Sequence, residues 1–158
     1  MGTFPFALAF GSLFVACQEP VIDSEIVDVS ERLAAGEVRT GIIEDERALF
    51  GGVSAEGQIG DYKIYNDRVQ FIIQGIREGS YYLALGGVPL DLDVVRPEGQ
   101  PGRDTLDEFA MMAGLGRVVA PDRISVVNSG INGEPAIIQV DGHAEGMALL
   151  NGALEIPD

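Results

Sequence analysis

Two carboxylates, Asp91 and Asp93, alternate in the run Pro89-Leu-Asp-Leu-Asp-Val-Val95. On an extended strand that alternation puts both on one face. A pair so placed could bind a divalent cation or work as an acid/base couple. The same pattern also describes the solvated side of a half-buried strand whose other side carries Leu90, Leu92 and Val94. Asp104, Asp107 and Glu108 make a second acidic group, explained by Thr105-Leu-Asp-Glu108 as a capping box opening a short helix through Phe109, Met111 and Met112 to Gly114. Asn128-x-Gly130-x-Asn132-Gly133 has the spacing of a calcium loop but none of its Asp ligands, and reads as a hairpin turn. His143 is the only histidine in the chain, so it has no second imidazole at ligand spacing and is expected in an exposed turn. No Gly-x-Ser-x-Gly elbow, P-loop or dinucleotide fingerprint occurs. Tyr62, Tyr65, Tyr81 and Tyr82 could offer a sugar-stacking face, although strands favour tyrosine in any case. These residues call for no cofactor.

The elements that must position these residues follow from the pattern of glycines and apolar runs. Of 21 glycines, 17 lie at or beyond Gly51, between short runs of Val, Ile, Tyr and Phe. Such texture implies a mainly β fold with many tight turns: an antiparallel β-sandwich-like module with one short helix. Asp61–Tyr65 and Arg68–Gln74 form a hairpin across Asn66-Asp67. That turn would pair Tyr65 with Arg68, Ile64 with Val69, Lys63 with Gln70 and Tyr62 with Phe71. Tyr62, Ile64, Val69, Phe71 and Ile73 then share one face, and Lys63, Tyr65, Arg68, Gln70 and Gln74 the other, with Ile72 the misfit. Tyr81–Leu85 and Val88–Val95 are further strands, and a second hairpin joins Ile124–Val127 to Ala136–Val140. Glu19–Phe50 carries nine acidic residues against three arginines. It reads as a solvated tether in preference to a short helix from Ser24 to Gly36.

The amino terminus has a different character. Residues 1–16 carry no charge, and Phe4–Ala16 is an apolar stretch of 13 residues. As a helix it would reach roughly 20 Å, short of the roughly 30 Å hydrocarbon core, which suits a signal-peptide core better than a membrane span. It ends in Phe14-Val15-Ala16-Cys17, with the chain's single cysteine last. This resembles the lipobox of bacterial lipoproteins. The resemblance implies cleavage before Cys17 and transfer of a diacylglyceryl group to its thiol, with further acylation such as palmitate. The departure is an n-region without Lys or Arg. Gln18 in place of Asp favours outer-membrane sorting.

A second resemblance rests on Gly57–Gln74, Gly86-Gly-Val-Pro-Leu-Asp-Leu-Asp93, Ile124-Ser-Val-Val-Asn-Ser-Gly130 and Gly133-Glu-Pro-Ala-Ile-Ile-Gln-Val140. Together these are similar to the amino-terminal β-rich region of large Gram-negative surface lipoproteins, some of which continue into a PHP-type, metal-dependent phosphoesterase-like domain. The histidine-rich metal motif of that domain does not occur here, so its activity would lie outside this chain.

The expected organisation is therefore a signal peptide over residues 1–16, lipidated Cys17 and an acidic tether over 17–50, and a β-rich domain over 51–158 cut short at its end. With 25 acidic against 10 basic residues, the net charge of −15 excludes a nucleic-acid partner. The partners expected are a membrane, through the lipid, and a cell-surface protein or glycan. The role expected is binding or scaffolding outside the cytoplasm. The alternative is an accessory region of a carbohydrate-active or metal-dependent hydrolase using Asp91 and Asp93.

Overall fold

The computed structural model describes residues 27–78, 85–109, 111–114, 116–147 and 150. The leader, Cys17, residues 81–84 of the Tyr81–Leu85 strand and the segment after Leu150 lie outside these.

The fold is mainly β and consists of two antiparallel sheets. Strands β1 (Val38–Ile42), β2 (Tyr62–Asn66), β3 (Val69–Ile73) and β4 (Pro89–Val94) form a four-stranded meander in that order. Strands β5 (Arg117–Asn128) and β6 (Ile137–Gly146) form a long separate hairpin. It meets the meander where the Thr40 amide donates to the Ser129 carbonyl at 2.9 Å and the Tyr62 hydroxyl donates to the Ile124 carbonyl at 3.2 Å. Gly130, at φ +84°, makes the first junction feasible, since a Cβ there would lie 2.6 Å from the Val38 carbonyl oxygen. The one short helical element bounded within the described residues is the 3₁₀ segment Glu46–Ala48, capped by Asp45, whose carboxylate accepts the Arg47 amide at 2.8 Å.

The expected capping-box helix at Thr105–Gly114 is not formed by its described residues. Phe109 instead donates its amide to the Pro89 carbonyl at 3.1 Å, and Ala113 pairs with Arg117 in a bridge. The physical reason is the lack of an apolar stripe to bury: Phe109, Met111 and Met112 are all exposed.

The tether expected over residues 17–50 also needs correction from Val27 onward. Val27, Val29, Leu33, Ile43 and Ala48 are buried and join Tyr65, Ile72 and Leu90 in the core. Between them the chain supplies β1, the edge strand of the meander. Gly41 permits the crossing, because even a Cβ there would come within 3.0 Å of the Val29 side chain. Acidic residues at Asp28, Glu31 and Glu37 face water between those apolar anchors. The sequence looks solvated because the anchors belong to a wrapping loop and follow neither the helical nor the strand period.

In the β2–β3 hairpin Tyr65 pairs with Gln70, Ile64 with Phe71, Lys63 with Ile72 and Tyr62 with Ile73. The register is thus two residues away from the expected one, and the loop residues are Asp67 and Arg68 instead of Asn66 and Asp67. The Asn66 side chain decides this: its carbonyl oxygen accepts the amides of Arg68 at 2.8 Å and Val69 at 2.9 Å. A slip of two preserves the faces, and the misfit Ile72 becomes the fully buried partner of Lys63.

Burial of the two faces is inverted relative to their polarity. Lys63, Tyr65, Ile72, Asp91 and Asp93 lie on the buried side, beneath the loops of residues 27–33, 43–50 and 51–58. Ile64, Val69, Phe71 and Ile73 are only half-buried, and Leu92 and Val94 are exposed.

Candidate functional site

Asp91 and Asp93 share a face of β4, as their spacing requires, but that face is the interior of the protein. Asp91 accepts the amides of Glu56 and Gly57, each at 2.9 Å. Burial is the largest influence on it and outweighs these two bonds; the nearby Asp104 and Asp61 push the same way, lifting its pKa to about 6. Asp93 accepts Nε and Nη2 of Arg96 at 3.0 and 2.6 Å, and the Arg103 amide at 2.8 Å. Burial raises its pKa, but Arg96 and the backbone amides of Arg103 and Val94 together hold it below the ordinary value. Neither carboxylate lies on a solvated strand face. Both tie the loops that cover the sheet to its fourth strand.

Two further buried aspartates do similar work. Asp61 accepts the amides of Gln58 and Gly75 and a pair of N–H groups from Arg77. Asp104 accepts the amides of Leu92 and Leu106 through Oδ1, and its buried Oδ2 has no hydrogen-bond partner among the described residues. Among the described residues no group of three or more His, Cys, Asp and Glu side chains could hold a metal ion.

His143 lies on β6, opposite Ala120, and not in a turn. It is exposed, with Nδ1 3.2 Å from Asp122. Tyr62 and Tyr65 point to opposite faces of the sheet, so they do not form one stacking platform. The Asn128–Pro135 loop is the expected hairpin connection, with Asn128 and Asn132 bonded back to the amides of Gly130 and Glu134.

A different site comes together on the buried face. A cleft of about 290 Å³ opens between the wrapping loop, the 3₁₀ turn, the sheet and residues 95–102. Four cations line it (Arg32, Arg47, Lys63 and Arg96) against two carboxylates, Glu31 and Asp93. Most of these charges are already matched. Glu31 pairs with Arg39 at 2.7 Å, Asp93 with Arg96 at 2.6 Å, and Arg47 with Asp45 at 2.8 Å. Arg32 has no ion pair among the described residues; it is exposed and donates to the Arg96 carbonyl.

Lys63 is the buried exception. It is 5% exposed, donates to the Ala48 carbonyl at 2.7 Å, and stands 4.7 Å from the centre of the Tyr65 ring. No carboxylate within the described residues forms an ion pair with it. Burial pulls its pKa down to about 8, with Asp28 opposing weakly. Tyr65 is held neutral by the same burial, its pKa pushed up to about 12, and its hydroxyl donates to the Glu31 carbonyl at 2.8 Å.

Sequence reasoning passed over Lys63 because strand alternation assigned it to the solvated face. A signal was nevertheless present: Lys63 is the only lysine in the chain, the other nine basic residues being arginine. It also sits between two aromatic residues and an isoleucine in the middle of a strand.

Comparison of the chain with protein-family models, with curated proteins and with solved structures finds no match. No helix among the described residues is long and apolar enough to cross a membrane.

Proposed function

We propose that this chain is an extracytoplasmic, lipid-anchored β module with a binding or scaffolding role. The observation that carries the proposal is the uncharged apolar leader ending in Phe14-Val15-Ala16-Cys17. Its length suits export without a membrane span, and its lone thiol stands where the lipobox resemblance places the acylated residue. A single acyl chain binds a bilayer only marginally, so stable tethering of so acidic a body requires the several chains of a lipoprotein.

The binding role rests on the concave cleft around Lys63. The hydrolase alternative asks Asp91 and Asp93 to act on a substrate. Their oxygens instead hold backbone amides and Arg96, an arrangement suited to fixing loops. The similarity to large surface lipoproteins leaves the cell surface as the setting, with a protein or glycan as partner.

Metabolic labelling with radioactive palmitate in an export-competent Gram-negative host tests the anchor. The full chain should carry label and partition with membranes, and Cys17→Ala should lose the label. Unlabelled, soluble wild-type protein with Met1 retained would contradict the proposal.

A further inference from the structure

The cleft has one buried charge that no carboxylate among the described residues neutralises. An ammonium offers three donors, and Lys63 uses one, on the Ala48 carbonyl. Burying a cation without a counter-charge is costly, and an apolar side chain of similar length would fill the same space without that cost. The Ala48 carbonyl and the Tyr65 ring hold the ammonium in place but do not neutralise it. An anionic ligand would.

We propose that the cleft binds a small hydroxylated carboxylate, of the size and chemistry of a sugar acid, with its carboxylate on Lys63. This deepens the binding role proposed above and is independent of the lipid anchor.

Three features of the site select this ligand class. The first is the charge that is free. Arg96 and Arg47 are paired with Asp93 and Asp45, and Arg32, which has only the Arg96 carbonyl, is exposed to solvent. This leaves Lys63 as the one buried cation among the described residues without a counter-charge, at the floor. One buried ammonium at the floor matches a monoanion. The second is size. At about 290 Å³, the cleft lies at the small end of ligand pockets. The third is the wall. Gln70 and Gln100 line it beside Leu33 and Phe50, so amide donors and acceptors for hydroxyl groups stand next to apolar surface for the flat of a ring.

Steering acts in the same direction. Around a body of net charge −15, a locally cationic recess is the one kind of site to which a small anion is drawn at short range, and added salt should weaken that attraction.

The experiment is calorimetric titration of the full chain in detergent, at neutral pH and constant ionic strength, with glucuronate, glucose, inorganic phosphate and sodium chloride as separate probes. Glucuronate is expected to bind and to raise Tm by several degrees, with glucose and chloride silent. Lys63→Met should weaken glucuronate by about tenfold or more, the worth of a charge-assisted hydrogen bond. Arg32→Ala, at an exposed residue, should weaken it by about two- to threefold through the local field alone. Should Lys63→Met fail to fold, perturbation of the single lysine's Cε resonance by glucuronate in the wild type gives the same answer. Silence of glucuronate in the wild type, equal binding by phosphate, or undiminished binding in a folded Lys63→Met would overturn the proposal. Loss of palmitate labelling with glucuronate binding intact would remove the anchor and leave the ligand site standing.

Discussion

The carboxylate of Asp91 and the backbone of Gly57 are in direct contact. Asp91 Oδ2 accepts the Gly57 amide at 2.9 Å, and a Cβ built on Gly57 would lie 2.7 Å from that same oxygen and 2.6 Å from Cδ1 of Ile72. The loop over β4 thus approaches the sheet more closely than any side chain would allow. Gly57→Ala should lower unfolding free energy by about 1–3 kcal/mol, the usual cost of overpacking, because both neighbours are buried and cannot retreat. Urea denaturation measures this, and an unchanged midpoint would mean that the loop does not sit against Asp91.

The same aspartate gives the fold an acid-side signature. Its folded pKa of about 6 exceeds the ordinary 3.8, with burial the main cause. Between those values the folded state binds more protons than the unfolded state, so acidification from neutral pH stabilises the protein through this group. The gain is complete below the unfolded value and amounts to about 2–3 kcal/mol. Asp93 works in the opposite sense, since its lowered pKa supplies stability that is lost at still lower pH. Wild-type stability should therefore rise from pH 7 towards pH 4 and then fall. The difference between wild type and Asp91→Asn, followed by denaturation across that range, isolates the contribution of Asp91 from its charged neighbours Asp61, Asp104 and Arg77.

Lys63 gives the matching signature on the alkaline side. Its folded pKa of about 8 lies below the ordinary 10.5 because of burial. Above pH 8 the unfolded chain holds more protons at this site, so stability rises with pH by about 3 kcal/mol. Tyr65 and Tyr62, whose pKa values burial raises, begin to oppose the rise near pH 10. The other charges around Lys63 are Asp28, Glu31 and Asp93 on one side and Arg32, Arg47 and Arg96 on the other. In Lys63→Met the rise between pH 8 and pH 10 should vanish, and its persistence would assign the titration to another group.

How far these features could be read from the sequence depended on whether local chemistry or tertiary context decided them. Antiparallel strands, the meander hairpin and the long second hairpin were legible, because period-two runs of Val, Ile, Tyr and Phe between turn residues specify them locally. The alternation of Asp91 and Asp93 correctly placed them on one face. Which face turned inward was not legible. Loops carrying the Glu56 and Gly57 amides cover the polar side, and nothing in β4 itself encodes those loops. The register differs by two residues for a related reason: Asn66 has the composition of a turn residue, but its side chain caps the turn from the strand end. The segment from Val27 to Phe50 was misjudged because its buried residues follow the path of a loop and no regular period. Lys63 was missed as a consequence of the inverted faces, although its status as the only lysine marked it out.

That uniqueness makes the most direct test unusually clean. In protein labelled with ¹³C-lysine, one Cε resonance reports on Lys63, and its shift can be followed with pH in the absence and presence of glucuronate. The structure predicts a midpoint near pH 8 in the free protein, moving upward when glucuronate fills the cleft, because a bound carboxylate favours the charged ammonium. A midpoint at the ordinary value of 10.5 that glucuronate leaves unmoved would contradict both the burial of Lys63 and its role as the ligand's anchor.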